Sequence, residues 1–287
     1  MHYKQYKTIL SPKNGMNIYR GCSHGCIYCD SRSDCYRMDH DFEDIEVKSG
    51  APQILDAQLR AKRAKCMIGT GAMTDPYIPL ESELGYTKAC LEVIERQGFG
   101  LCIQTKSDLI LRDLDLLKSI NRKSKCVVEI TLTTYDENLC NILEPAVCST
   151  KRRAEVLNIM RENGIPTVVW LCPLLPYIND TEENLRGILG YCVDAGVWGI
   201  LNYGIGLTLR DGDREYFYAA LDRHFPGLKQ KYQAKYGNNY IITSDNNSKL
   251  MRIYYDECKK HGIVCDNDKI FAYMHDFPED NEQMRLF

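Results

Sequence analysis

Residues 19–29 read YRGCSHGCIYC, which places Cys22, Cys26 and Cys29 in a C-x3-C-x2-C spacing directly after the first predicted β-strand. Three thiolates on one short loop can converge on a single metal centre, and thiolates select zinc or iron–sulfur clusters. A structural zinc usually takes its fourth ligand from a second paired motif; Cys35 is available, but the chain has no second C-x2-C. Three ligands leave one iron of a four-iron cluster open, so the spacing favours a cluster with a vacant position for a substrate or cofactor.

Short runs rich in valine, isoleucine and leucine alternate with amphipathic stretches over most of the chain. The predicted strands are 16–20, 66–70, 101–105, 127–132, 167–172 and 199–203. The predicted helices between them are 53–63, 86–96, 109–120 and 152–163. Because repeats of about 30 residues have the size of a βαβ unit, the predicted fold class is α/β, a partial (β/α)6 parallel barrel. A doubly wound sheet is the alternative.

The alternation stops near residue 209. The following segments Asp213–His224, Leu228–Tyr236 and 248–261 have helical patterns. The predicted division is therefore a barrel with its N-terminal cluster loop over 1–210, an appended helical region over 211–279, and a flexible tail over 280–287.

The composition is that of an ordinary globular protein. Of the 287 residues, 44% are hydrophobic and 26% are charged, which excludes a disordered chain, a collagen-like fibre and a coiled coil. The formal charge of -3 gives no global basic excess for non-specific binding to nucleic acid. The longest apolar runs, such as 165–176, are too short to span a bilayer, and the first residues lack signal-peptide features. We therefore expect a cytoplasmic protein without membrane contact.

The motifs together resemble the radical S-adenosylmethionine (radical SAM) superfamily and, within it, the spore photoproduct lyase-like branch, also described as DNA repair photolyase-like. The stretches that carry the resemblance are YRGCSHGCIYC (19–29), IGTGAMTDPYIPLE (68–81), TKSDLILRDLDLL (105–117), LEP (143–145) and CPLLPYIND (172–180). The resemblance implies a partial six-unit barrel. It also implies that the three cysteines bind a [4Fe-4S] cluster whose open iron chelates S-adenosylmethionine. An electron from a one-electron reductant of the flavodoxin or ferredoxin type would then yield a 5′-deoxyadenosyl radical that abstracts hydrogen from a substrate.

The same resemblance assigns the residues nearest the cofactor. Tyr28 matches the aromatic position beside the adenine. Gly71, Thr74 and Asp75 follow the second barrel strand, where Thr74 and Asp75 can bond the methionyl amine or carboxylate. Lys106 matches the lysine that holds the cofactor carboxylate, and a lysine is a suitable point-charge partner for that group. Tyr28 and Lys106 are therefore the predicted catalytic residues.

Further cofactor contacts are predicted at later strands. Thr131 and Glu129 lie on the fourth predicted strand, where Glu129 either faces the lumen and bonds the ribose hydroxyls or pairs with Arg112 or Lys106. The fifth strand leads into an apolar floor suited to an adenine ring, to which we assign Pro173 and Leu174. Asn202 and Tyr203 end the sixth strand and are predicted to face the substrate.

The sequence departs from the lyase pattern at two positions. The lyase has a hydrogen-donating cysteine where this chain has Ala72, and a radical-relaying tyrosine where it has Asp30. A methyl group and a carboxylate are poor hydrogen-atom donors, so the resemblance supports the type of reaction more than the photoproduct as substrate. Cys35 or Cys140 could substitute for the missing donor. Beside the cluster loop, a charged set either reads the substrate or is solvated; its members are Asp30, Arg32, Asp34 and Arg37.

Three functions remain open from the sequence. The first is a radical enzyme acting on a nucleic-acid base, with a basic stripe supplied by one of two sets: Lys118, Arg122, Lys123 and Lys125, or Lys151, Arg152 and Arg153. The second is a radical enzyme acting on a peptide or a small metabolite. The third is a non-enzymatic iron–sulfur or zinc protein, such as a redox sensor.

The chain ends in QMRLF, which resembles the Q-x-x-L-F peptide that bacterial repair proteins use to bind the DNA sliding clamp. Gln283, Leu286 and Phe287 would make that contact. The alternative is that the two apolar side chains dock back onto this protein, because exposed apolar pairs tend to enter a pocket.

Overall fold

The computed structural model describes residues 1–278. Its strands are β1 (His2–Gln5), β2 (Gly15–Met16), β3 (Tyr19–Arg20), β4 (Glu46–Ser49), β5 (Met67–Thr70), β6 (Gly100–Thr105), β7 (Cys126–Thr131), β8 (Thr167–Trp170), β9 (Gly199–Leu201), β10 (Gly206–Thr208) and β11 (Ile241–Thr243). Its α-helices are α1 (Ala51–Arg60), α2 (Glu81–Leu84), α3 (Tyr86–Gln97), α4 (Leu114–Lys123), α5 (Glu137–Leu143), α6 (Thr150–Glu162), α7 (Glu182–Ala195), α8 (Asp213–His224), α9 (Leu228–Tyr236), α10 (Asn247–His261) and α11 (Asn267–His275).

Six parallel strands form the central sheet in the order β2-β5-β6-β7-β8-β9. The two middle strands, β6 and β7, are rich in apolar residues and almost wholly buried, as strands covered on both faces are. The helices between them pack their apolar stripes on the outer face, where most of the core lies. The predicted α/β fold with six parallel strands is confirmed, and the doubly wound alternative is set aside by the single consecutive order of the strands.

The segment predicted as the strand 16–20 divides between two sheets. Gly15 and Met16 of β2 pair with β5, whereas Tyr19 and Arg20 of β3 pair antiparallel with β4. Strand β1 adds to β4 in parallel and completes a small three-stranded sheet at the N-terminus. The loop that carries the three cysteines therefore begins where the chain leaves this small sheet.

The C-terminal residues pack into the barrel rather than beside it. Ile270 and Met274 of α11 contact the inner face of the sheet, and the side chains they meet are Met67, Cys102, Val127, Val168 and Leu201. A β10–β11 ribbon also pairs residues 206–208, at the end of the predicted barrel region, with 241–243, which lie in the region predicted to be helical. The helix fills one end of the lumen and leaves the carboxyl ends of the strands for the site. No helix of the described residues is long and apolar enough to cross a membrane.

Candidate active site

The three cysteines lie on the loop after β3, and all of them line one cavity of about 100 Å³. Their thiols are free. The N–H of Cys22 donates to the carbonyl of Phe42 at 3.0 Å, and the N–H of Ile27 donates to the carbonyl of Leu143 at 3.0 Å. Backbone hydrogen bonds to two separate segments therefore position the loop.

The separation of the thiols distinguishes a cluster from a single zinc ion. Zinc–sulfur bonds of about 2.3 Å in tetrahedral geometry bring sulfur atoms to within about 3.8 Å of one another. In residues 1–278 the sulfur atoms of Cys22, Cys26 and Cys29 do not all lie within 4.8 Å of one another. Among the same residues no fourth cysteine lines the cavity, and Cys35 instead contacts Arg210 at 3.0 Å. This donor set fits three corners of a [4Fe-4S] cluster with one iron left open.

The electrostatics of the cavity also fit a bound cationic centre. Burial raises the pKa of the Cys22 thiol to about 12 and holds the pKa of the Cys26 thiol well above its usual range. Lys106 acts in the opposite direction and lowers the pKa of Cys26. Buried thiols of this kind lose their protons only where a positive charge compensates, and a metal centre supplies that charge.

Gly71 allows β5 and β6 to approach closely at their carboxyl ends. Its φ is +105°, and a Cβ there would lie 2.1 Å from the carbonyl oxygen of Gln104. A side chain would therefore force the strands apart beside the cavity, which Gly71 lines. The sequence analysis assigned this glycine to cofactor approach; the close contact seen in the structure is with the neighbouring strand.

Asp75 is a buried hydrogen-bond acceptor that ties several segments together. Its Oδ1 accepts from the N–H of Tyr77 at 2.8 Å and from the hydroxyl of Thr105 at 2.7 Å, and its Oδ2 accepts from the N–H of Lys106 at 2.8 Å. Nε2 of His24 lies 3.1 Å from the same Oδ2. Burial would raise the pKa of Asp75, but His24 and the hydrogen bonds lower it to about 2. Much of its hydrogen-bonding capacity is therefore already used within the protein.

Lys106 follows β6 and lines both this cavity and a larger one next to it. Its ammonium lies 6.0 Å from the ring centroid of Tyr28. Burial would lower the pKa of this ammonium, but Cys26 and Glu144 lead the groups that outweigh burial and raise it. Glu144 pairs with Arg153, so the Lys106 ammonium remains available to an anionic group in the cavity.

Tyr28 is anchored by a buried ion pair. Its hydroxyl donates to Glu144, whose other carboxylate oxygen accepts from Nη2 of Arg153. Arg153 also donates to the carbonyl of Thr131, at the end of β7, over 2.7 Å. Glu144 and Arg153 are both fully buried. The LEP segment (143–145), for which the sequence analysis gave no role, thus connects the cluster loop to the barrel.

The larger cavity, of about 480 Å³, continues outward from the cysteines. Tyr28, Lys106 and Thr131 line both cavities, and Pro173 lines the larger one. The outer wall is the β10–β11 ribbon. The sequence analysis missed this wall; the β-branched run Ile241–Thr243, bounded by glycine, asparagine and serine, is the signal that predicts such a strand.

Two predicted cofactor contacts lie outside the two cavities. Thr74 is buried and lines neither cavity, because the turn after β5 directs Met73 and Asp75 inward instead. Leu174 is fully buried in the outer core, one residue beyond the lining Pro173. The structure therefore does not bring these two side chains together with the other candidate residues.

Glu129 lies deeper in the lumen than predicted. Its carboxylate lies 3.0 Å from Sγ of Cys102. Glu129 is two residues before Thr131 on the same strand, and it lines neither cavity. Burial raises its pKa. The Glu129 carboxylate therefore contacts Cys102, whereas Arg112, one of its predicted partners, bonds Glu81 instead.

The structure places the other candidate residues as follows. Tyr203 lines the larger cavity and is 61% exposed, whereas Asn202 is buried and bonds the carbonyl of Leu171 at 2.9 Å. Ala72 and Asp30, which occupy the positions of the lyase's cysteine and tyrosine, both line that cavity, and neither can donate a hydrogen atom there. Of the two substitutes, Cys35 is exposed and Cys140 is buried beside Glu144, and neither lines a cavity described above. A thiol that the sequence analysis did not single out as a donor, Cys172, does line it.

Several side chains of the two predicted basic stripes are buried or paired within the protein. Arg153 is fully buried, and Arg152 pairs with Asp108 at 2.8 Å. In the other set, Lys123 pairs with Glu95 and Lys125 donates to the carbonyl of Asp276. None of these side chains lines either cavity.

The sequence model of the radical SAM superfamily matches residues 16–187, more than half of the chain. The chain belongs to the radical SAM superfamily. Members of this superfamily use a [4Fe-4S] cluster and S-adenosylmethionine, so the predicted cofactors are confirmed at the level of the family.

Similar sequences occur in bacteria and archaea. An uncharacterized protein of Mycobacterium tuberculosis is 30% identical over 229 residues, which cover 77% of this chain and 66% of that protein. An uncharacterized protein of Methanocaldococcus jannaschii is 32% identical over 176 residues, which cover 61% of this chain and 65% of that protein. The chain thus spans just under two thirds of the length of these relatives.

Solved structures of other radical SAM enzymes share the fold. A spore photoproduct lyase variant with bound S-adenosylmethionine and dinucleoside spore photoproduct matches with a TM-score of 0.60 and 14% identity, over 85% of this chain and 72% of that one. A radical S-adenosylmethionine methyltransferase of Kitasatospora setae, with cobalamin and a [4Fe-4S] cluster bound, matches with a TM-score of 0.53 and 12% identity, over 79% of this chain and 45% of that one. The predicted relation to the spore photoproduct lyase-like branch is confirmed at the level of the fold.

Proposed function

We propose that this radical SAM protein is an enzyme that abstracts a hydrogen atom from a nucleic-acid base. The observation that carries the proposal is the continuity of the two cavities. Three thiols line the inner one, and Tyr28, Lys106 and Thr131 line its junction with the outer one. A cofactor held at the thiols therefore faces a substrate space directly.

Each residue at the junction has a chemical part in this proposal. Cys22, Cys26 and Cys29 hold the cluster, which together with bound S-adenosylmethionine supplies one-electron cleavage to a 5′-deoxyadenosyl radical. The Lys106 ammonium neutralises the cofactor carboxylate, because its charge is already favoured by the anionic groups around it. Tyr28, fixed by Glu144, forms a flat wall beside the adenine.

The remaining contacts complete the cofactor pocket. Thr131 bonds a ribose hydroxyl from the end of β7, and Pro173 covers the apolar face of the adenine. Asp75 positions Lys106 by accepting a hydrogen bond from its backbone N–H. Gly71 lets β5 and β6 approach each other closely, and we propose that this leaves room for the methionyl group.

The outer cavity supports a planar and uncharged substrate group. Its aromatic surface includes Trp170 and the exposed ring of Tyr203, whose centroids lie 5.9 Å apart. Stacking on such rings binds any base at about 1–3 kcal/mol. The carboxylate that lines the outer cavity, Asp30, accepts from the Tyr36 hydroxyl at 2.7 Å, and its charge is balanced by Nε of Arg210 at 3.5 Å. One of the structurally similar enzymes, spore photoproduct lyase, binds a dinucleoside substrate.

The proposed reaction is not the repair of the spore photoproduct. Ala72 and Asp30 stand where that lyase has its two hydrogen-transferring residues, and neither group donates a hydrogen atom. A base carrying a different modification or lesion is therefore the proposed substrate class.

Transfer of deuterium tests this proposal. The reconstituted protein is incubated anaerobically with reductant, S-adenosylmethionine and fully deuterated nucleic acid, and 5′-deoxyadenosine is analysed by mass spectrometry. Enrichment of deuterium that is abolished by Cys29→Ala and reduced by Tyr203→Ala supports the proposal. Tyr203→Ala is the informative variant, because it lies outside the cofactor contacts and leaves uncoupled cofactor cleavage intact.

Other outcomes identify the competing functions. Enrichment from deuterated peptides or metabolites, but not from nucleic acid, would favour a peptide or small-metabolite substrate. A reducible cluster without any 5′-deoxyadenosine would indicate a redox protein. We give priority to the base because of the aromatic outer wall.

Three further proposals concern partners and location. A flavodoxin- or ferredoxin-type protein supplies the electron. The tail residues Gln283, Leu286 and Phe287 bind a DNA sliding clamp; they lie outside the described residues, and loss of clamp binding on deletion of 283–287 tests this. The protein acts in the cytoplasm.

A further inference from the structure

A second group of candidate ligands lies in the small N-terminal sheet, outside the two cavities. His2 is on β1, Glu46 is on β4, and His40 is in the segment that precedes β4. Two overlapping sets, His2 with His40 and Asp44, and His40 with Asp39 and Glu46, each offer ligand atoms within 4.8 Å of one another. The proposed function uses none of these side chains.

Both imidazoles have a second partner that fixes the position of their N–H. Nδ1 of His2 lies 2.9 Å from Oδ2 of Asp44, and Nδ1 of His40 lies 2.9 Å from the carbonyl oxygen of Asp41. In a neutral imidazole, a hydrogen donated from Nδ1 leaves the lone pair of Nε2 for a metal ion. A carboxylate or carbonyl behind a histidine is the usual arrangement around a metal ion.

The two free Nε2 atoms face one carboxylate oxygen. Oε2 of Glu46 lies 3.7 Å from Nε2 of His2 and 3.8 Å from Nε2 of His40. Glu46 is fully buried, the His40 side chain is only 10% exposed, and Nε2 of His40 has no hydrogen-bond partner in the described residues. The other oxygen of Glu46 accepts from the Tyr6 hydroxyl at 2.5 Å. A buried carboxylate that faces two imidazoles needs a cation beside it.

Lys4 marks where positive charge is needed. Its ammonium lies 3.1 Å from Oε2 of Glu46 and 3.1 Å from Oδ2 of Asp39. The side chain is 41% exposed and flexible, so a divalent ion can displace it into solvent. Lys4 is therefore a competitor for the site rather than a fixed part of it.

We propose that His40, Glu46 and Asp39, whose ligand atoms lie within 4.8 Å of one another, bind one divalent first-row transition metal ion, with His2 as a further ligand. Two imidazoles and a carboxylate suit Zn²⁺ and its neighbours in the series, whereas Mg²⁺ and Ca²⁺ prefer oxygen ligands alone. Asp44 orients His2 in this site. The inference does not depend on the proposed function.

The metal would join three segments that lead to the cluster loop. It would connect β1, β4 and the 39–46 segment, and that segment contains Phe42, whose carbonyl accepts the N–H of Cys22. A structural ion here would therefore stabilise the start of the loop that carries the cysteines.

Equilibrium dialysis of the untagged holoenzyme against Zn²⁺ tests the proposal, with zinc and iron counted by elemental analysis. Because the cluster occupies the three cysteines, they do not compete for zinc. The wild type is expected to bind one zinc ion that His40→Gln/Glu46→Gln lacks, and Asp44→Asn is expected to weaken binding about 10–100-fold. His261→Gln is the matched control, since His261 also lies 3.5 Å from a glutamate, Glu257, without a third ligand.

Replacing Lys4, the competing cation, should strengthen zinc binding rather than weaken it. Lys4→Ala removes the ammonium without disturbing the core, so half-saturation with zinc should occur at a lower zinc concentration than in the wild type. Zinc should also raise the melting temperature of wild type and Lys4→Ala, but not that of His40→Gln/Glu46→Gln. Equal zinc content in the wild type and the double variant, or unchanged half-saturation in Lys4→Ala, would overturn the proposal.

Discussion

Oδ2 of Asp75 accepts the backbone N–H of Lys106 at 2.8 Å, so the carboxyl ends of β5 and β6 are joined beside the three cysteines. His24, in the middle of the cysteine motif, lies 3.1 Å from the same oxygen. One buried carboxylate therefore fixes the relative positions of the cluster loop and the predicted cofactor lysine.

Asp75→Ala should lower the free energy of unfolding of the apoprotein by about 2–4 kcal/mol, because it leaves several buried donors without an acceptor. Urea unfolding followed by circular dichroism measures this. Asp268→Ala, at an exposed position of α11, is the control and should change the value by less than about 0.5 kcal/mol. Equal stability of both variants would show that the hydrogen bonds to Asp75 contribute little.

Glu144→Ala should lower the free energy of unfolding by about 3–5 kcal/mol, because it leaves Arg153 buried without its counter-ion. Tyr28→Phe removes only one hydrogen bond to the same carboxylate and should cost about 1–2 kcal/mol. Thermal and urea unfolding of the apoproteins compare the two. A larger loss in Tyr28→Phe than in Glu144→Ala would contradict the view that the ion pair is the anchor and Tyr28 the anchored group.

Cys22→Ala, Cys26→Ala and Cys29→Ala should each prevent full cluster assembly, since each removes one of only three ligands. Iron and sulfide analysis after anaerobic reconstitution measures the loss, together with 5′-deoxyadenosine formation. Cys35→Ala is the matched control and should retain both, because Cys35 contacts Arg210 outside the cavity. Cofactor cleavage by any of the first three variants would refute the ligand assignment.

Asp213, at the start of α8, should make the fold less stable as the pH rises from about 4 to about 6. Burial raises its pKa to about 6, and its Oδ2 is buried without a hydrogen-bond partner. A carboxyl whose pKa is higher in the folded than in the unfolded chain stabilises the fold while protonated and loses that contribution as the pH approaches the folded value. The free energy of unfolding of Asp213→Asn should therefore rise by about 1 kcal/mol relative to that of the wild type between pH 4 and pH 7. The difference is small because solvent reaches part of the Asp213 side chain.

Unfolding free energies of wild type and Asp213→Asn at both pH values test this directly. A constant difference between the two proteins would mean that the Asp213 carboxyl does not titrate in this range. Asp222→Asn, in the same helix but paired with Lys229 at the surface, controls for general effects of charge removal.

The barrel could be predicted from sequence because its strands are covered on both faces. Cys126–Thr131 and its neighbours are short runs rich in β-branched and other apolar residues, and they stand out between amphipathic helices. The small strands could not be found in the same way. His2–Gln5 alternates between half-buried and exposed residues without a strong apolar signal, and the pairing of Gly206–Thr208 with Ile241–Thr243 depends on contacts between distant parts of the chain.

The site was predictable where a residue lies at a strand end. Thr131 is the last residue of β7 and Lys106 follows the last residue of β6, and both line the cavities. Thr74 and Leu174 lie in turns, where a difference of one residue directs a side chain to the lumen or to the outer core. The hydrogen bonds from Thr105 and Lys106 to Asp75 join residues about 30 positions apart, so no local pattern contains them. Glu144 and Arg153 are only nine residues apart, but their contact depends on how the chain turns between α5 and α6.

The electron paramagnetic resonance spectrum of the reduced protein, recorded before and after addition of S-adenosylmethionine, tests most directly whether the three cysteines hold a cluster with an open iron. We expect the signal of a reduced [4Fe-4S] cluster that shifts when the compound binds, because its amino and carboxylate groups coordinate the open iron. A signal that stays unchanged at saturating S-adenosylmethionine, or a protein that holds zinc and gives no signal, would contradict this account.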